Sequence, residues 1–477
     1  MKKRYGLIGA SLIHSYSKEI HEALGKYEYE LMSLTADEMK DFVGSREFDG
    51  LNVTIPYKQE VMALCDEISL LAREIGAVNT LYWRDAASSM ETESDIEVGS
   101  KSDAGDATSS QASFGFAEAW AAQNKCGSPD AKRSAASCAD GDLPGASPAV
   151  SGSRRLVGHN TDYEGFLYAA DRAGIDFGNQ TVLILGTGGT SRMAQTAAAH
   201  QGASRILVAS RSAGSATLLS YDDLPQIADA VGIIVNTTPL GTYPDNGGEL
   251  LSIKDFPNCH SVMDVIYNPF KTALLLEAER LGIRHTNGLP MLVAQATAAA
   301  GYFLGTPGAF WQENDRIIAK LQQNMQNLVL VGMPGCGKTT IGMQLAEKTG
   351  KPFIDMDREI EREAGMAIPE IFDAEGEAGF RDRESAVAAR IGKEHGQIIA
   401  TGGGAVLRRE NVDALRQNGL VIHVRRPLEA LATDGRPLSK NLDALKKMEE
   451  KRRPLYEAAA DMTFENTDPA AWETLLT

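Results

Sequence analysis

Two loops of this chain place glycines where a backbone would have to wrap a phosphate. The first, Gly186-Thr187-Gly188-Gly189-Thr190-Ser191-Arg192, follows the apolar run Thr181–Leu185 and leads into helix-forming residues. Backbone N–H groups at such a helix start meet an anion in the favourable direction of the helix dipole, which suits the pyrophosphate of a dinucleotide. Glycine pairs also mark ordinary turns, and the strand-loop-helix setting is what favours the nucleotide reading. The second loop, Gly332-Met333-Pro334-Gly335-Cys336-Gly337-Lys338-Thr339-Thr340, is more specific because it fixes a lysine and a hydroxyl relative to the glycines. Here Gly335, Cys336, Gly337 and Thr340 would cradle ATP. Lys338 would reach its β and γ groups, and Thr339 would bind Mg²⁺. Cys336 reads as a small filler rather than a nucleophile.

The choice of dinucleotide should be written after the next strand, Arg205–Ala209, where NAD binders carry an acid that accepts bonds from the ribose hydroxyls. This chain has Ser210-Arg211-Ser212 there. An arginine between hydroxyls suits the 2′-phosphate of NADP through charge-assisted bonds. Set against that is an ordinary exposed arginine at a strand end.

Elements able to position these groups alternate along most of the chain. Strand-like runs at 5–9 and 51–55 are separated by amphipathic helical stretches, and further strands are expected at 181–185, 205–209, 233–236 and 262–265. A helix is expected at 289–303 and a polar connecting helix at 315–326, followed by strands near Leu328, Pro352, Ile398 and Leu420. This is an α/β fold class with parallel sheets and crossover helices. From about 85 to 153 the texture changes to Ser, Ala, Gly and Asp with few aliphatic residues; this insertion is expected to be disordered, with one transient helix at 114–123.

At 477 residues the chain exceeds a single ordinary core. Its net charge of −17, with no long basic stripe, argues against nucleic acid and anionic membrane as partners, so anionic small molecules must be drawn in by individually placed Lys and Arg. No run reaches membrane-spanning length. The five cysteines, Cys65, Cys126, Cys138, Cys259 and Cys336, are scattered without metal spacing and point to a reducing, cytoplasmic setting.

Four patches carry a family resemblance: Ile13-His14-Ser15-Tyr16-Ser17; Asn52-Val53-Thr54-Ile55-Pro56-Tyr57-Lys58; Ala77-Val78-Asn79-Thr80 with Asn160-Thr161-Asp162; and Asn287-Gly288-Leu289-Pro290-Met291 continuing to Gln295. Together they resemble shikimate dehydrogenase over residues 1–320, apart from the insertion. The resemblance implies a substrate domain (about 1–84, 154–175 and 289–320) and a Rossmann NADP-binding part (about 176–288). It implies that Ser15 and Ser17 bind the substrate carboxylate. Thr54, Asn79, Asp162 and Gln295 would hold hydroxyls or carbonyl, Tyr267 would face the substrate, and Val265, Gly288 and Met291 would join the cofactor site. Lys58 would carry the proton, oriented by Asp162. A cationic donor at that oxygen fits the chemistry, because hydride arriving at a ketone carbon builds alkoxide character. The chain departs from the family's usual pattern at Lys18, His159 and Ser215.

A second set, Phe353-Ile354-Asp355-Met356-Asp357, Gly379-Phe380-Arg381-Asp382-Arg383-Glu384, Gly402-Gly403-Gly404, Gly435-Arg436-Pro437-Leu438 and Arg452-Arg453-Pro454-Leu455-Tyr456, resembles shikimate kinase from 327 to 477. By that resemblance Asp357 binds and activates the acceptor hydroxyl, and Asp355 lies near the metal. Arg381 and Arg452 bind the substrate carboxylate, Gly402, Gly403 and Gly404 let backbone approach the substrate, and Arg436 belongs to a short lid over ATP. The expectation is a bifunctional enzyme that reduces 3-dehydroshikimate with NADPH and then phosphorylates shikimate. A non-catalytic sensor of the same intermediates and a quinate dehydrogenase preferring NAD are the alternatives. The sequence leaves monomer and homodimer open.

Overall fold

The computed structural model describes residues 3–12, 15–85, 154–211, 218–431, 442–468 and 471–476. They fall into two compact units: Met1–Leu224 with Ala230–Thr237 and Gly288–Ile317, and Pro225–Asp229 with Thr238–Asn287 and Ile318–Thr477. Residues 238–287, read above as part of the cofactor-binding region, therefore lie in the same unit as 327–477. The insertion, including the helix expected at 114–123, lies outside the described residues from residue 86 to 153, as do Ser212, Ser215 and Arg436.

The first unit begins as β1 (Tyr5–Gly9), α1 (Ser17–Ala23), β2 (Tyr29–Ser33), α2 (Ala36–Ser45), β3 (Gly50–Val53), β4 (Glu67–Ile68), α3 (Leu70–Ile75), β5 (Thr80–Asp85), β6 (Arg154–His159) and α4 (Asp162–Arg172). Its six-stranded sheet runs β2-β1-β3-β5-β6-β4. β1 is parallel to β2 and β3, whereas β5 is antiparallel to both β3 and β6. Central strand β1 is buried along its whole length, as expected of a strand covered on both faces. α2 starts where Thr35 and Glu38 cap each other's backbone reciprocally.

Four strands of a parallel sheet follow, β7 (Thr181–Leu185), β8 (Arg205–Ala209), β9 (Leu218–Leu219) and β10 (Ile233–Asn236), with α5 (Gly189–His200) crossing between β7 and β8. β7 pairs with β8 and β10, and β8 with β9.

The second unit holds the parallel pair β11 (Ser261–Asp264) and β12 (Arg284–Thr286), joined by α6 (Ala273–Arg280). β11 ends one residue before the expected strand, which leaves Val265 in the following loop. Back in the first unit, α7 (Leu289–Phe303) is buried on nearly every side; α8 (Asn314–Met325) then leads into β13 (Asn327–Val331). The rest is α9 (Lys338–Thr349), β14 (Phe353–Asp355), α10 (Met356–Ala364), α11 (Ile368–Ile391), β15 (Ile398–Ala400), α12 (Arg409–Arg416), β16 (Gly419–Arg425), α13 (Leu442–Ala459) and β17 (Met462–Glu465). The five strands run β14-β15-β13-β16-β17, all parallel. α11 is kinked at Gly376, whose φ of 72° suits only glycine comfortably. Edge strand β17 was not anticipated: Met462-Thr463-Phe464-Glu465 buries only Phe464, so its pattern carries little hydrophobic signal.

One close approach sets the geometry of the first unit. α4 meets α7 at Gly165, where an added Cβ would lie 2.6 Å from Met291 O and 3.0 Å from Gln295 Cβ. The glycine therefore lets the helix carrying Asp162 lie directly on the one carrying Gln295. Gly165→Ala must push the helices apart and is expected to destabilise this unit by about 1–3 kcal/mol, read as a lower midpoint in thermal or urea unfolding.

Candidate functional sites

In the first unit, the turn after β3 carries Thr54 and Lys58, and the start of α4 carries Asp162. Lys58 Nζ donates to Asp162 Oδ2 at 2.6 Å, bringing together residues 104 apart in sequence. Both side chains are largely sheltered, at 23% and 15% exposure. The turn is held from both ends: Thr54 N–H bonds Ile8 O, Val78 N–H bonds Lys58 O, and the Tyr57 hydroxyl donates to Leu34 O at 2.6 Å. Asp162 N–H bonds Asn160 Oδ1, while Asn160 Nδ2 reaches Ala77 O.

Beside this pair, buried Asn79 accepts at Oδ1 from Thr161 N–H (2.7 Å), Thr80 Oγ1 (3.0 Å) and Thr161 Oγ1 (3.2 Å). With its oxygen so occupied, the amide is fixed in one orientation and keeps its Nδ2 as a donor. Ser15 Oγ accepts from Ser17 N–H at 3.3 Å, and Gln295 Nε2 turns back to Leu292 O. His159, unusual for the resemblance, is buried and bonds Ser69 Oγ and Glu164 Oε1, both at 2.8 Å.

The glycine loop after β7 also takes the expected form. Gly186 has φ of 105°, Gly188 precedes α5, and a Cβ on Gly188 would meet nothing within 4 Å, so the helix start faces open space. Ser191 is fully buried, as is natural at the position where helix and strand pack. Arg211, exposed after β8, lies close enough to Tyr221 to lower its phenol pKa, although burial is the larger influence and raises it.

Of the remaining expected dehydrogenase residues, Gly288 and Met291 are buried at the start of α7. Val265 and Tyr267 belong to the second unit, in the loop that leaves β11; burial raises the Tyr267 phenol.

In the second unit, the loop after β13 delivers Lys338 to the start of α9. Its ammonium is buried and donates to Gly332 O (2.8 Å) and Met333 O (3.0 Å). Asn466 Nδ2, just past β17, bonds Cys336 O at 2.7 Å and fixes the loop from the side. Thr339 Oγ1 donates to Asp355 Oδ2 at 3.1 Å, and Asp355 Oδ1 caps α10 by accepting from the N–H groups of Asp357 and Arg358. A strand end and a helix cap thus place both carboxylates where the sheet opens.

The glycine triplet after β15 is what these groups lie upon. A Cβ on Gly402 would sit 2.6 Å from Asp357 Oδ1, and one on Gly404 would collide with the Arg381 guanidinium. Gly403 O accepts from Arg452 Nη1 (2.9 Å) and Tyr456 OH (2.5 Å). Arg381 Nη1 also donates to Glu384 Oε2 at 2.6 Å. Glu384 is 1% exposed, and its Oε1 has no hydrogen-bond partner among the described residues. Burial pushes its carboxyl above the usual range, Arg381 opposes that, and Asp357 adds to it. Glu384 closes the motif 379–384 that carried the resemblance but had no role assigned from sequence, and Asn466 was not singled out at all.

Residues 7–81 match the family model of the shikimate dehydrogenase substrate binding domain, and residues 334–475 match that of shikimate kinase. The shikimate kinase of Symbiobacterium thermophilum is 47% identical over 144 residues, which cover 28% of this chain and 83% of that protein. This chain belongs to the shikimate kinase family. A second shikimate kinase, from Pseudomonas syringae pv. tomato, is 45% identical over 152 residues, covering 30% of this chain and 88% of its own length. Among solved structures, a chorismate mutase/shikimate 5-dehydrogenase fusion protein from Clostridium acetobutylicum is 28% identical, with 68% of this chain and 98% of that one covered and a TM-score of 0.49. The shikimate kinase region is thus joined to a shikimate dehydrogenase substrate-binding domain in one polypeptide, a bifunctional enzyme of the shikimate pathway. No helix among the described residues is long and apolar enough to cross a membrane.

The kinase region also buries a histidine. His423 in β16 is 4% exposed and stacked on Tyr456 with ring centroids 5.1 Å apart. Burial lowers its pKa from 6.5 to about 4, helped by Arg425 and opposed by Glu449. Between those values the unfolded chain holds a proton that the folded chain does not, so this stability is complete above pH 6.5 and lost as pH falls toward 4. At pH 5 the loss should be about 2 kcal/mol. His423→Phe, which keeps the stacked ring, is expected to flatten the stability profile between pH 4 and 6.5 in urea titrations.

Proposed function

We propose that the N-terminal site reduces 3-dehydroshikimate with NADPH, and that the C-terminal site phosphorylates the hydroxyl so formed from ATP with Mg²⁺, giving shikimate 3-phosphate. The observation that carries the first half is the sheltered Lys58–Asp162 pair at 2.6 Å. Such a pair holds a cationic donor in one orientation.

The residues fit the groups this reading needs. The start of α5 faces open space, as a pyrophosphate would require. Arg211 supplies a guanidinium for a 2′-phosphate. Thr339 and Asp355 offer adjacent hydroxyl and carboxylate oxygens, the donor set of a hard cation that keeps several waters. When bound, NADPH supplies the hydride, ATP the phosphoryl group and Mg²⁺ positive charge beside the phosphates.

In the dehydrogenase half, Lys58 donates its proton to the substrate oxygen as negative charge builds there, and Asp162 steadies the ammonium. Asn79 presents its Nδ2 to a substrate oxygen. Ser15 and Ser17 would bind the carboxylate, with Thr54 and Gln295 completing the substrate contacts. Gly288 and Met291 would lie along the cofactor.

In the kinase half, Asp357 accepts the proton of the attacking hydroxyl, and Lys338 neutralises charge on the transferred group. Arg381 and Arg452 bind the carboxylate in a chain that is otherwise acidic. Glu384, with one bare oxygen, orients Arg381 and offers an acceptor to a substrate hydroxyl. Arg436 completes the ATP site. Cys65, Cys259 and Cys336 form no disulfide among the described residues, which suits reactions taking place in the cytoplasm.

Incubating the full chain with 3-dehydroshikimate, NADPH, ATP and Mg²⁺ should yield shikimate 3-phosphate by mass spectrometry. Stabilisation by these ligands without turnover would instead favour a sensor. Lys58→Ala is expected to slow reduction by about 10²- to 10⁴-fold with phosphorylation of added shikimate unchanged, and Lys338→Ala to do the converse. Arg211→Ala should raise KM for NADPH by about tenfold or more and leave that for NADH near its starting value; equal effects on both would refute the NADP assignment.

A further inference from the structure

The first unit buries a histidine and an acid to which the functional reading gives no task. His159 closes β6 and Glu164 lies in the first turn of α4, at 7% and 3% exposure. Their side chains meet across the residues between them, with His159 Nε2 and Glu164 Oε1 2.8 Å apart. The contact thus brackets Asp162, the carboxylate to which Lys58 donates.

Each end is tied to a further element. His159 Nδ1 lies 2.8 Å from Ser69 Oγ, which also accepts from Ala72 N–H and so caps α3. On the other side the Tyr302 hydroxyl donates to Glu164 Oε1 at 3.2 Å, and its ring lies against the imidazole with centroids 4.6 Å apart. Burial, joined by the Glu164 carboxylate, raises the Tyr302 phenol well above its ordinary value, so it keeps its proton and stays a donor. Glu164 Oε2 has no hydrogen-bond partner among the described residues, so the carboxylate is held through Oε1 by His159 and Tyr302.

The chemistry of the pair suits a fixed strut. Facing a carboxylate, Nε2 carries a hydrogen. Nδ1 can then accept from the Ser69 hydroxyl or, with the ring charged, donate to it, because a hydroxyl does both. The Nε2–H to Oε1 bond survives in either state.

The geometry of α4 says what the strut controls. Backbone bonds fix where the turn runs: Asn79 N–H to His159 O, Thr161 N–H to Asn79 Oδ1 and Asp162 N–H to Asn160 Oδ1. Two residues separate Glu164 from Asp162, roughly 200° around a helix of 3.6 residues per turn, so the two side chains leave α4 on nearly opposite sides. A rotation of the helix that moved Asp162 off Lys58 would have to pull Glu164 away from both His159 and Tyr302.

We infer that His159 and Glu164 are positioning residues for the reduction: by bonding across the turn they set the rotation of α4, and with it the aim of the Asp162 carboxylate at Lys58. This rests on the functional reading above for what Lys58 does. Both residues act through Asp162 and not on the substrate.

The test uses the full chain and removes the pair as a unit. His159→Phe combined with Glu164→Leu fills the buried space with apolar side chains, an exchange that is often neutral for the stability of a buried pair. This double variant is expected to stay folded, to speed amide exchange at Thr161 and Asp162 by about tenfold, and to lower kcat for reduction by about five- to twentyfold. KM for NADPH should stay within about twofold, since the glycine loop after β7 is untouched, and so should phosphorylation of added shikimate. His159→Gln, whose amide N–H takes the place of Nε2–H, should keep kcat within about threefold of wild type. Wild-type kcat in the double variant would overturn the inference, as would unchanged exchange, or a His159→Gln enzyme as slow as the double variant. Should the double variant unfold, Glu164→Gln, which keeps the acceptor, and Glu164→Met, which fills the space without it, decide by the same comparison of kcat. A wild-type chain that does not reduce 3-dehydroshikimate would sink the functional reading alone, and exchange at 161 and 162 would still decide whether the pair holds the turn.

Discussion

The Lys58–Asp162 site depends on the pairing of β5 with β6. The ladder runs from Thr80 opposite His159 to Asp85 opposite Arg154, across the whole of residues 86–153. Lys58, Asn79 and Asp162 come together only in that register, because a slip of one residue would turn Thr80 and His159 to the opposite face. Lengthening a loop tenfold costs only about 2 kcal/mol in closure entropy, since the dependence is logarithmic. The ladder offsets that with fully buried Leu81 and Leu156, and with an anchor at each edge. Trp83 Nε1 donates to Phe48 O at 2.7 Å beneath the guanidiniums of Arg46 and Arg154. Leu156 N–H donates to Asp66 Oδ2 at 2.8 Å, and Arg84 pairs with Glu67. A long insertion is tolerated here because the hairpin is stabilised by what surrounds it and needs no tight turn.

What could be read from sequence divides along a physical line. Strands covered on both faces, such as Thr181–Leu185 and Asn327–Val331, announce themselves as apolar runs, and glycine loops that follow them are fixed by backbone geometry. Residues that act through a backbone requirement were therefore legible: Gly186, Gly337 and the triplet at Gly402. Edge strand β17 was not, because a strand buried on one residue has no periodic signature. Nor was Asn466, nor the role of Glu384 within its motif. Each acts through partners brought near by folding, and a lone Asn or Glu in sequence is far more often a solvated side chain. The juxtaposition of 238–287 with the kinase region was hidden for the same reason, since hydrogen bonds between distant loops leave no local pattern.

The acidity of the chain bears on how the sites are built. With a net charge of −17 the long-range field disfavours the anions that both reactions handle. Three of the cations with assigned roles are restrained at short range: Lys58 by Asp162, Arg381 by Glu384, Lys338 by the carbonyls of its own loop. Pairing of this kind has a cost, since a carboxylate competes with the substrate for the cation. At Arg381 the cost is limited by burial, which raises Glu384's pKa and leaves one of its oxygens bare.

The kinase sheet uses its two ends differently, and the reason lies in the backbone. Parallel strands leave unpaired N–H and C=O groups at both edges of the layer. Where β13 and β15 end, those groups give way to glycine loops whose amides are available to phosphate and substrate. Where β13 and β16 begin, side-chain amides occupy the same kind of vacancy: Asn327 Nδ2 donates to Glu394 O, its Oδ1 accepts from Gln397 N–H, and Asn418 does likewise for the chain beside it. A buried asparagine can donate twice and accept twice, so one already tied to its own fold still has an acceptor to offer a neighbouring segment. In this chain Asn418 offers it to Phe270.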